Sequence, residues 1–253
     1  MEIRYYRHFS HNLQRDMEFK VYGHRGKPVL FLPCQAGRFW DFEAFHMIDT
    51  WAKWIDEGFF TVYSCDTIDG ETYANEGGDC AYRTQLHEKW YNYAIDELVP
   101  MIRSLHAERG GNAGDTLMVF GASLGGMHAA NFFFRRPDIF DSVIALSGLY
   151  TAGYGFPMYS DELTFMNSPI DFLREMPADH PWMDLYKKRN IYICVGQGKW
   201  EDELLESTRA LDTVLCQRGI PANMDYWGFD VDHDWCWWRV QLPYFMEKVL
   251  AKK

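Results

Sequence analysis

The segment TLMVFGASLGGMHAANFFFRR, residues 116–136, is the most informative part of the chain for the fold. The short apolar run TLMVFG predicts a buried strand, and the amphipathic stretch that begins at Ser123 predicts a helix directly after it. The junction GASLGG contains the pattern Gly-x-Ser-x-Gly. A sharp strand-to-helix turn of this composition pushes the serine hydroxyl clear of the sheet, and its glycines let neighbouring backbone pass close by.

This turn predicts a nucleophilic serine at position 123. The start of the helix offers free N–H groups and the positive end of its dipole, which would stabilise an oxyanion. The alternative is a glycine-rich helix start with Ser123 as an ordinary N-cap. A serine alone is a poor nucleophile and needs a base that is oriented by a third group. On a strand–turn–helix scaffold the acid and then the histidine follow the serine along the chain.

Strands and helices alternate through most of the remaining sequence. Further strands are predicted at residues 2–9, 17–22, 28–33, 59–65, 142–148, 191–196 and 223–227, and helices at 45–58, 85–107, about 201–218 and about 235–251. This alternation predicts an α/β fold with a mostly parallel sheet covered by helices on both faces. Residues 149–187 break the pattern and are interpreted as a lid-like insertion. No linker divides the chain, so we expect one domain over residues 1–253.

Three histidines follow Ser123, and one has the position that the chain order requires. His233 lies in WGFDVDHDWCWWR, between the last predicted strand and the last helix. His128 lies inside the helix that follows Ser123, where a packing or surface role is expected, and His180 lies in the insertion. We therefore predict that His233 is the base, with Asp234 as the N-cap of the last helix.

The acid is expected in VGQGKWEDE, residues 195–203, which follows the penultimate strand. Glu201 and Asp202 are the main candidates, and Glu203 is assigned to a solvated helix face. Asp230 and Asp232, beside His233, are rivals. The GQG sequence lacks the third glycine of a dinucleotide fingerprint, and no HExxH motif occurs, so no cofactor and no metal are expected.

Composition narrows the class of partner. The chain has 253 residues, 47% of them hydrophobic, and a net charge of −11, which argues against nucleic acid. The N-terminus lacks an apolar leader segment and no run is long enough for a bilayer, so we expect no membrane partner. Six scattered cysteines without a CxxC motif suggest free thiols in the cytoplasm. The sequence leaves open whether the chain forms a homo-oligomer.

Three motifs resemble the putative esterase (esterase D) family of α/β-hydrolases over nearly the whole chain: GASLGGMHA, the GQGKWED turn and the WGFDVDHDWCWWR ending. The resemblance implies an α/β-hydrolase fold with Ser123 as nucleophile and His233 as base. Relatives that resemble siderophore esterases carry Gly-x-x-Glu after the penultimate strand, which favours Glu201 over Asp202. The resemblance also implies an oxyanion hole built from the N–H of Leu124 and that of Gln35 or Ala36. Cys34, in the same loop as Gln35, is interpreted as a packing residue rather than a redox-sensitive thiol.

These features together predict a serine esterase that cleaves a small-molecule carboxylic ester through an acyl-enzyme. The aromatic insertion suggests hydroxycinnamoyl or acylated carbohydrate esters, with Trp200, Tyr150 and Tyr154 contacting the substrate. An acyltransferase or thioesterase of the same fold is the nearest alternative. A non-catalytic binding protein is the alternative from another class, although such a protein would normally have lost a triad residue.

Overall fold

The apolar runs of the sequence form one eight-stranded sheet in the computed structural model, which describes residues 1–251. The strands are β1 (Ile3–Ser10), β2 (Arg15–Tyr22), β3 (Lys27–Leu32), β4 (Phe60–Cys65), β5 (Leu117–Ala122), β6 (Phe140–Leu146), β7 (Asn190–Val195) and β8 (Asn223–Tyr226). Their spatial order is β1-β2-β4-β3-β5-β6-β7-β8. The β1–β2 and β2–β4 pairs are antiparallel and all others are parallel. The predicted α/β-hydrolase fold with a mostly parallel sheet is confirmed.

Helices cover both faces of this sheet. They are α1 (Asp41–Ala44), α2 (Met47–Asp56), α3 (Cys80–Asn92), α4 (Val99–Ala107), α5 (Leu124–Arg135), α6 (Glu162–Met166), α7 (Pro169–Glu175), α8 (Pro181–Tyr186), α9 (Asp202–Arg218) and α10 (Trp235–Ala251). Helices α2 and α10 pack on one face, and α3, α4, α5 and α9 pack on the other. Alternate residues of β5 enter the two cores, so the whole strand is apolar, as is usual for parallel strands.

The helix predicted at residues 85–107 is longer and less regular than expected. It begins at Cys80, where the Asp79 side chain accepts a hydrogen bond of 2.8 Å from the Tyr82 N–H. A π-helical segment, Tyr93–Leu98, joins α3 to α4 just before Pro100. Proline has no N–H, and its ring clashes with the carbonyl four residues earlier, so a wider turn accommodates it.

The insertion, residues 149–187, contains the 3₁₀ turn Ala152–Tyr154 and helices α6, α7 and α8. Each helix has seven residues or fewer, which is too short to produce a clear period in the sequence. Local caps define them instead: Asp161 and Thr164 form a capping box, and prolines open α7 and α8. Several insertion side chains, such as Tyr150, are part of the core.

Arg83, in α3, joins the insertion to the rest of the molecule. Its side chain is almost completely buried, and it donates hydrogen bonds to the carbonyls of Thr72 (2.7 Å), Tyr73 (3.2 Å) and Gly155 (2.8 Å). The guanidinium also lies 4.9 Å from the centre of the Phe156 ring. One buried cation therefore binds the segment after β4 and the turn that carries Tyr154.

A histidine cluster lies buried beneath α5. His128 Nε2 is 3.1 Å from Asp69 Oδ1, and the His87 ring stacks on the His128 ring at 5.2 Å. Burial, with a smaller contribution from His128, holds the pKa of His87 well below its usual range. His128 is thus a packed, buried residue in this structure.

No helix within residues 1–251 is long and apolar enough to cross a lipid bilayer.

We expect Arg83→Met to lower the free energy of unfolding by about 2–4 kcal/mol, because three buried carbonyls would lose a charged donor. Urea unfolding followed by circular dichroism measures this change. The matched control is Arg174→Met, since Arg174 is 52% exposed and lies 3.6 Å from Asp171. The control should cost less than about 0.5 kcal/mol. Equal losses in the two variants would contradict a structural role for Arg83.

We also expect His87 to weaken the fold at acid pH. Below about pH 6.5 the unfolded chain binds a proton at position 87 that the folded protein excludes, so stability falls as the pH falls and is constant above that value. The His87→Gln variant should reduce the slope of unfolding free energy against pH by up to about 1.4 kcal/mol per pH unit between about pH 6.5 and 5. Parallel curves for wild type and His87→Gln would disprove the expectation.

Candidate active site

The turn at Ser123 is held in a strained backbone conformation. Its φ and ψ are 56° and −131°, a region that non-glycine residues rarely occupy. A Cβ on Gly121 would lie 2.0 Å from the Gly125 carbonyl oxygen, and one on Gly125 would lie 2.2 Å from the Leu32 oxygen. Only glycine permits these approaches. The Ser123 side chain does not cap α5, so the N-cap alternative does not describe this turn.

The structure brings His233 to Ser123. His233 Nε2 lies 2.9 Å from Ser123 Oγ, which is hydrogen-bond distance. The Trp238 ring packs edge-on against the imidazole at 4.9 Å and restricts its rotation. As expected, the Asp234 side chain caps α10 by accepting from the Cys236 N–H at 2.9 Å.

Of the candidate acids, Glu201 lies behind the imidazole. It is completely buried, and its Oε1 is 3.4 Å from His233 Nδ1. This distance is within ion-pair range but long for a hydrogen bond; such contacts often tighten only in the substrate complex. Asp202 is exposed at the first position of α9, and Asp230 is also exposed. The Asp232 carboxylate accepts the Lys199 N–H at 2.7 Å, so it orders the backbone.

Two residues that sequence reasoning did not identify hold Glu201 in place. Ser147 Oγ donates to Glu201 Oε1 at 2.6 Å, and Trp238 Nε1 donates to Ser147 Oγ at 3.3 Å. Ser147 directly follows β6 and has a positive φ of 48°. Its position at the carboxyl end of a strand beside β5 and β7 is the signal that could have found it, because ligands bind at that edge of such sheets.

Hydrogen bonds join the acid turn (residues 196–201) to the histidine loop (residues 227–234). Gly198 N–H donates to the Val231 carbonyl at 2.9 Å, and His233 N–H donates to the Lys199 carbonyl at 3.0 Å. A Cβ on Gly198 would lie 2.3 Å from Asp232 Oδ1, so glycine is required there as well. The two segments form one unit that carries both His233 and Glu201.

The predicted oxyanion donors lie on two elements beside Ser123. Leu124 is the first residue of α5, so its N–H has no acceptor within the helix. Gln35 follows β3 and lines the same cavity as Ser123, whereas Ala36 lines a separate groove with Arg38 and Asp66. Cys34 Sγ donates to the Ala122 carbonyl at 3.3 Å, and burial raises the pKa of its thiol. A raised thiol pKa disfavours the reactive thiolate.

Ser123 opens into a cavity of about 260 Å³. Besides Ser123, Leu124 and His233, its walls are Gln35, Leu149, Tyr154, Trp200, Glu203 and Leu204. Tyr154 donates from its hydroxyl to Gln35 Oε1 at 3.3 Å across this cavity. Trp200 is 81% exposed at the rim with a φ of 66°. Tyr150 is completely buried in the core and does not reach the cavity, so the structure does not bring this predicted substrate contact to the site.

A larger groove, about 730 Å³, lies at the amino ends of β3, β5 and β6. Four of its charged side chains form two pairs, Lys27 with Asp141 at 2.6 Å and His106 with Asp115 at 2.9 Å. It contains none of the residues discussed above. Within residues 1–251 no group of three or more His, Cys, Asp or Glu side chains is arranged to hold a metal ion.

Comparison with known proteins gives a family and a fold. A family model described as Putative esterase matches residues 10–248. A ferulic acid esterase has a similar structure, with a TM-score of 0.74 and 17% identity over 96% of this chain and 95% of its own. An S-formylglutathione hydrolase from Staphylococcus aureus has a TM-score of 0.67 and 13% identity over 97% of this chain and 96% of its own. A fluorophosphonate-binding serine hydrolase from Staphylococcus aureus has a TM-score of 0.65 and 16% identity, with 97% of each chain covered. A search of curated protein sequences gives no match.

Proposed function

The chain belongs to the Putative esterase family and is a carboxylic ester hydrolase, and from that premise we propose that Ser123, His233 and Glu201 are its catalytic triad. The observation that carries the proposal is the 2.9 Å contact between Ser123 Oγ and His233 Nε2, with the buried Glu201 carboxylate on the Nδ1 side of the same ring. This is the nucleophile–base–acid order that acyl transfer requires.

The reaction follows from this geometry in two halves. Ser123 Oγ attacks the ester carbonyl carbon while its proton passes to His233 Nε2, and the carbonyl oxygen takes the negative charge. The backbone N–H groups of Leu124 and Gln35 stabilise that oxyanion. When the tetrahedral intermediate collapses, the alcohol leaves with the proton from Nε2. Water then attacks the acyl-enzyme with His233 again as base, which releases the acid and restores Ser123.

Glu201 keeps the imidazole ready for this proton transfer. A carboxylate beside Nδ1 favours the tautomer with its proton on that nitrogen, so Nε2 is free to accept from Ser123. It also stabilises the imidazolium that forms in each half-reaction. The hydrogen bonds from Trp238 to Ser147 and from Ser147 to Glu201 would maintain the position of Oε1.

The natural ester is a narrower proposal. Hydroxycinnamoyl or acylated carbohydrate esters are consistent with the rim residues Trp200 and Tyr154, and one similar structure is a ferulic acid esterase. We propose that the insertion covers the cavity through Tyr154, as part of one domain. The cytoplasmic location, the lack of a nucleic acid or membrane partner and the oligomeric state stay predictions from the sequence.

The alternatives make different products. An acyltransferase or thioesterase would use the same three residues. Adding alcohols to the assay would distinguish an acyltransferase from a hydrolase, because an acyltransferase accumulates the new ester in preference to the free acid. A non-catalytic binding protein would not need the Ser123–His233 contact, so we favour it least.

We expect a fluorophosphonate probe to label the wild-type protein covalently at Ser123, because the probe reacts with serines that are activated by a neighbouring base. Gel fluorescence measures labelling, and peptide mass spectrometry identifies the modified residue. The Ser123→Ala variant should show no labelling. A matched control is Ser160→Ala, an exposed serine in the insertion that should leave labelling unchanged. Absence of labelling in wild type, or equal labelling of Ser123→Ala, would refute the serine mechanism.

The acid assignment is tested by a pair of neighbouring substitutions. We expect Glu201→Gln to lower kcat for p-nitrophenyl acetate by roughly 10²-fold or more, because the imidazole would lose its anionic partner. Asp202→Asn should change kcat less than about twofold, since an exposed carboxylate on a helix surface contributes little. Thermal melting of both variants checks that they fold. Loss of activity in Asp202→Asn alone would assign the role to Asp202.

A further inference from the structure

The cavity beside Ser123 has an uneven distribution of charge. Among its lining residues, Glu203 is the one carboxylate, and no lysine or arginine contributes to the walls. Within residues 1–251 the Glu203 side chain has no hydrogen bond or ion pair to another side chain. Its negative charge is therefore free to interact with whatever occupies the cavity.

Two arginines on elements that adjoin the site form contacts elsewhere. Arg38, after β3, pairs with Asp66 at 2.6 Å and with Glu18 at 3.1 Å. Arg239, in α10, donates to the Phe45 carbonyl at 3.0 Å. Lys199 is exposed and its side chain does not line the cavity. An anionic ester would therefore meet a negative charge here with no cation to compensate it.

Aromatic surface lies next to this carboxylate. Trp200 lines the cavity while 81% of the residue remains exposed, and Tyr154 lines it from the insertion. Trp200 has a positive φ of 66°, a backbone conformation that costs free energy in a residue other than glycine. An indole face attracts a cation, and quaternary ammonium groups are ligands that proteins recognise in this way. The apolar walls at Leu149 and Leu204 suit the methyl groups of such a cation.

The direction of proton transfer decides which part of the ester meets these groups. The leaving oxygen takes its proton from His233 Nε2, so the alcohol portion lies next to His233. Trp200 and Glu203 flank Glu201, and the Lys199 carbonyl before them accepts the His233 N–H at 3.0 Å. Both side chains line the same cavity as His233, and the proposal takes them to contact the alcohol portion.

We propose that this cavity selects esters whose alcohol portion carries a positive charge, a quaternary ammonium or a protonated amine, through Trp200 and Glu203. The inference rests on the proposed serine esterase function and specifies, in addition, the charge of the preferred substrate.

The test compares two acetyl esters of nearly equal shape. Acetylcholine carries a trimethylammonium group, and 3,3-dimethylbutyl acetate replaces its nitrogen by carbon. The cationic nitrogen also makes choline a better leaving group. The ratio of the two kcat/KM values is therefore divided by the ratio of the rates of alkaline hydrolysis, and this corrected ratio isolates recognition of the alcohol. We expect the wild-type protein to prefer acetylcholine by about five- to tenfold at low salt, and the preference to shrink as NaCl rises from about 0.02 M to about 0.5 M.

Three variants locate the origin of that preference. Glu203→Gln and Trp200→Leu should each reduce the ratio towards one, because kcat/KM for acetylcholine falls more than kcat/KM for the neutral ester. Glu206→Gln is the matched control, because Glu206 is exposed one turn further along α9 and does not line the cavity. Its ratio should equal that of wild type. A ratio of one or less in wild type, or a ratio that Glu203→Gln leaves unchanged, would overturn the proposal.

A binding measurement keeps the outcome independent of turnover. Isothermal titration calorimetry should show choline binding more tightly than 3,3-dimethylbutanol, and the difference should disappear in Glu203→Gln. Failure of the serine mechanism would appear separately, as absence of fluorophosphonate labelling at Ser123. If the serine is labelled but choline has no advantage in binding or in hydrolysis, the esterase function stands and the charge selection is wrong.

Discussion

The close backbone contact at the start of α5 is the constraint on which the rest of the site depends. Gly125 lies so near the Leu32 carbonyl that a Cβ would overlap its oxygen, and Gly126 lies similarly near the Leu146 carbonyl. The helix start is thus held between the ends of β3 and β6, and Ser123 must take a left-handed conformation to join β5 to it. Strain of this kind costs about 1–3 kcal/mol. Burial of all twelve residues of α5 offsets that cost, and the result is a hydroxyl that points away from the sheet.

The second half of the site depends on a different kind of interaction. The acid turn and the histidine loop lie about thirty residues apart in sequence, and hydrogen bonds at Gly198, Lys199 and His233 combine them into one unit. Burying the Glu201 carboxylate is unfavourable because it loses water. The hydroxyl of Ser147 and the imidazole of His233 both contact Oε1 and compensate its charge. The position of the acid relative to the base is thereby determined by backbone contacts as much as by the two side chains.

The insertion is bound to the molecule more firmly than its irregular sequence indicates. The buried Arg83 side chain binds the insertion through the Gly155 carbonyl. Tyr154 of the insertion contacts Gln35 across the cavity. Since Gln35 also supplies a proposed oxyanion donor, the insertion and the loop after β3 are connected at the point where the ester carbonyl would bind. The acidic wall at Glu203 and the exposed ring of Trp200 then determine which molecules the remaining opening attracts.

The sequence by itself determined the α/β architecture, the positions of the apolar strands along the chain and the turn at Ser123. Each of these depends on local periodicity or on glycine at fixed spacing. The sequence also located His233, since chain order in such folds is limited by topology. The motif resemblance favoured Glu201 over Asp202, and the tertiary structure supplied the physical reason: the Glu201 side chain is buried before α9, whereas Asp202 is exposed at the first residue of the helix. The tertiary structure alone separated Gln35 from Ala36, removed Tyr150 from the cavity and revealed the Ser147–Trp238 support. Such distinctions depend on contacts between residues that lie tens of positions apart in the chain. A sequence pattern predicts which face of a strand or helix is buried, but it does not identify the residues that pack against that face.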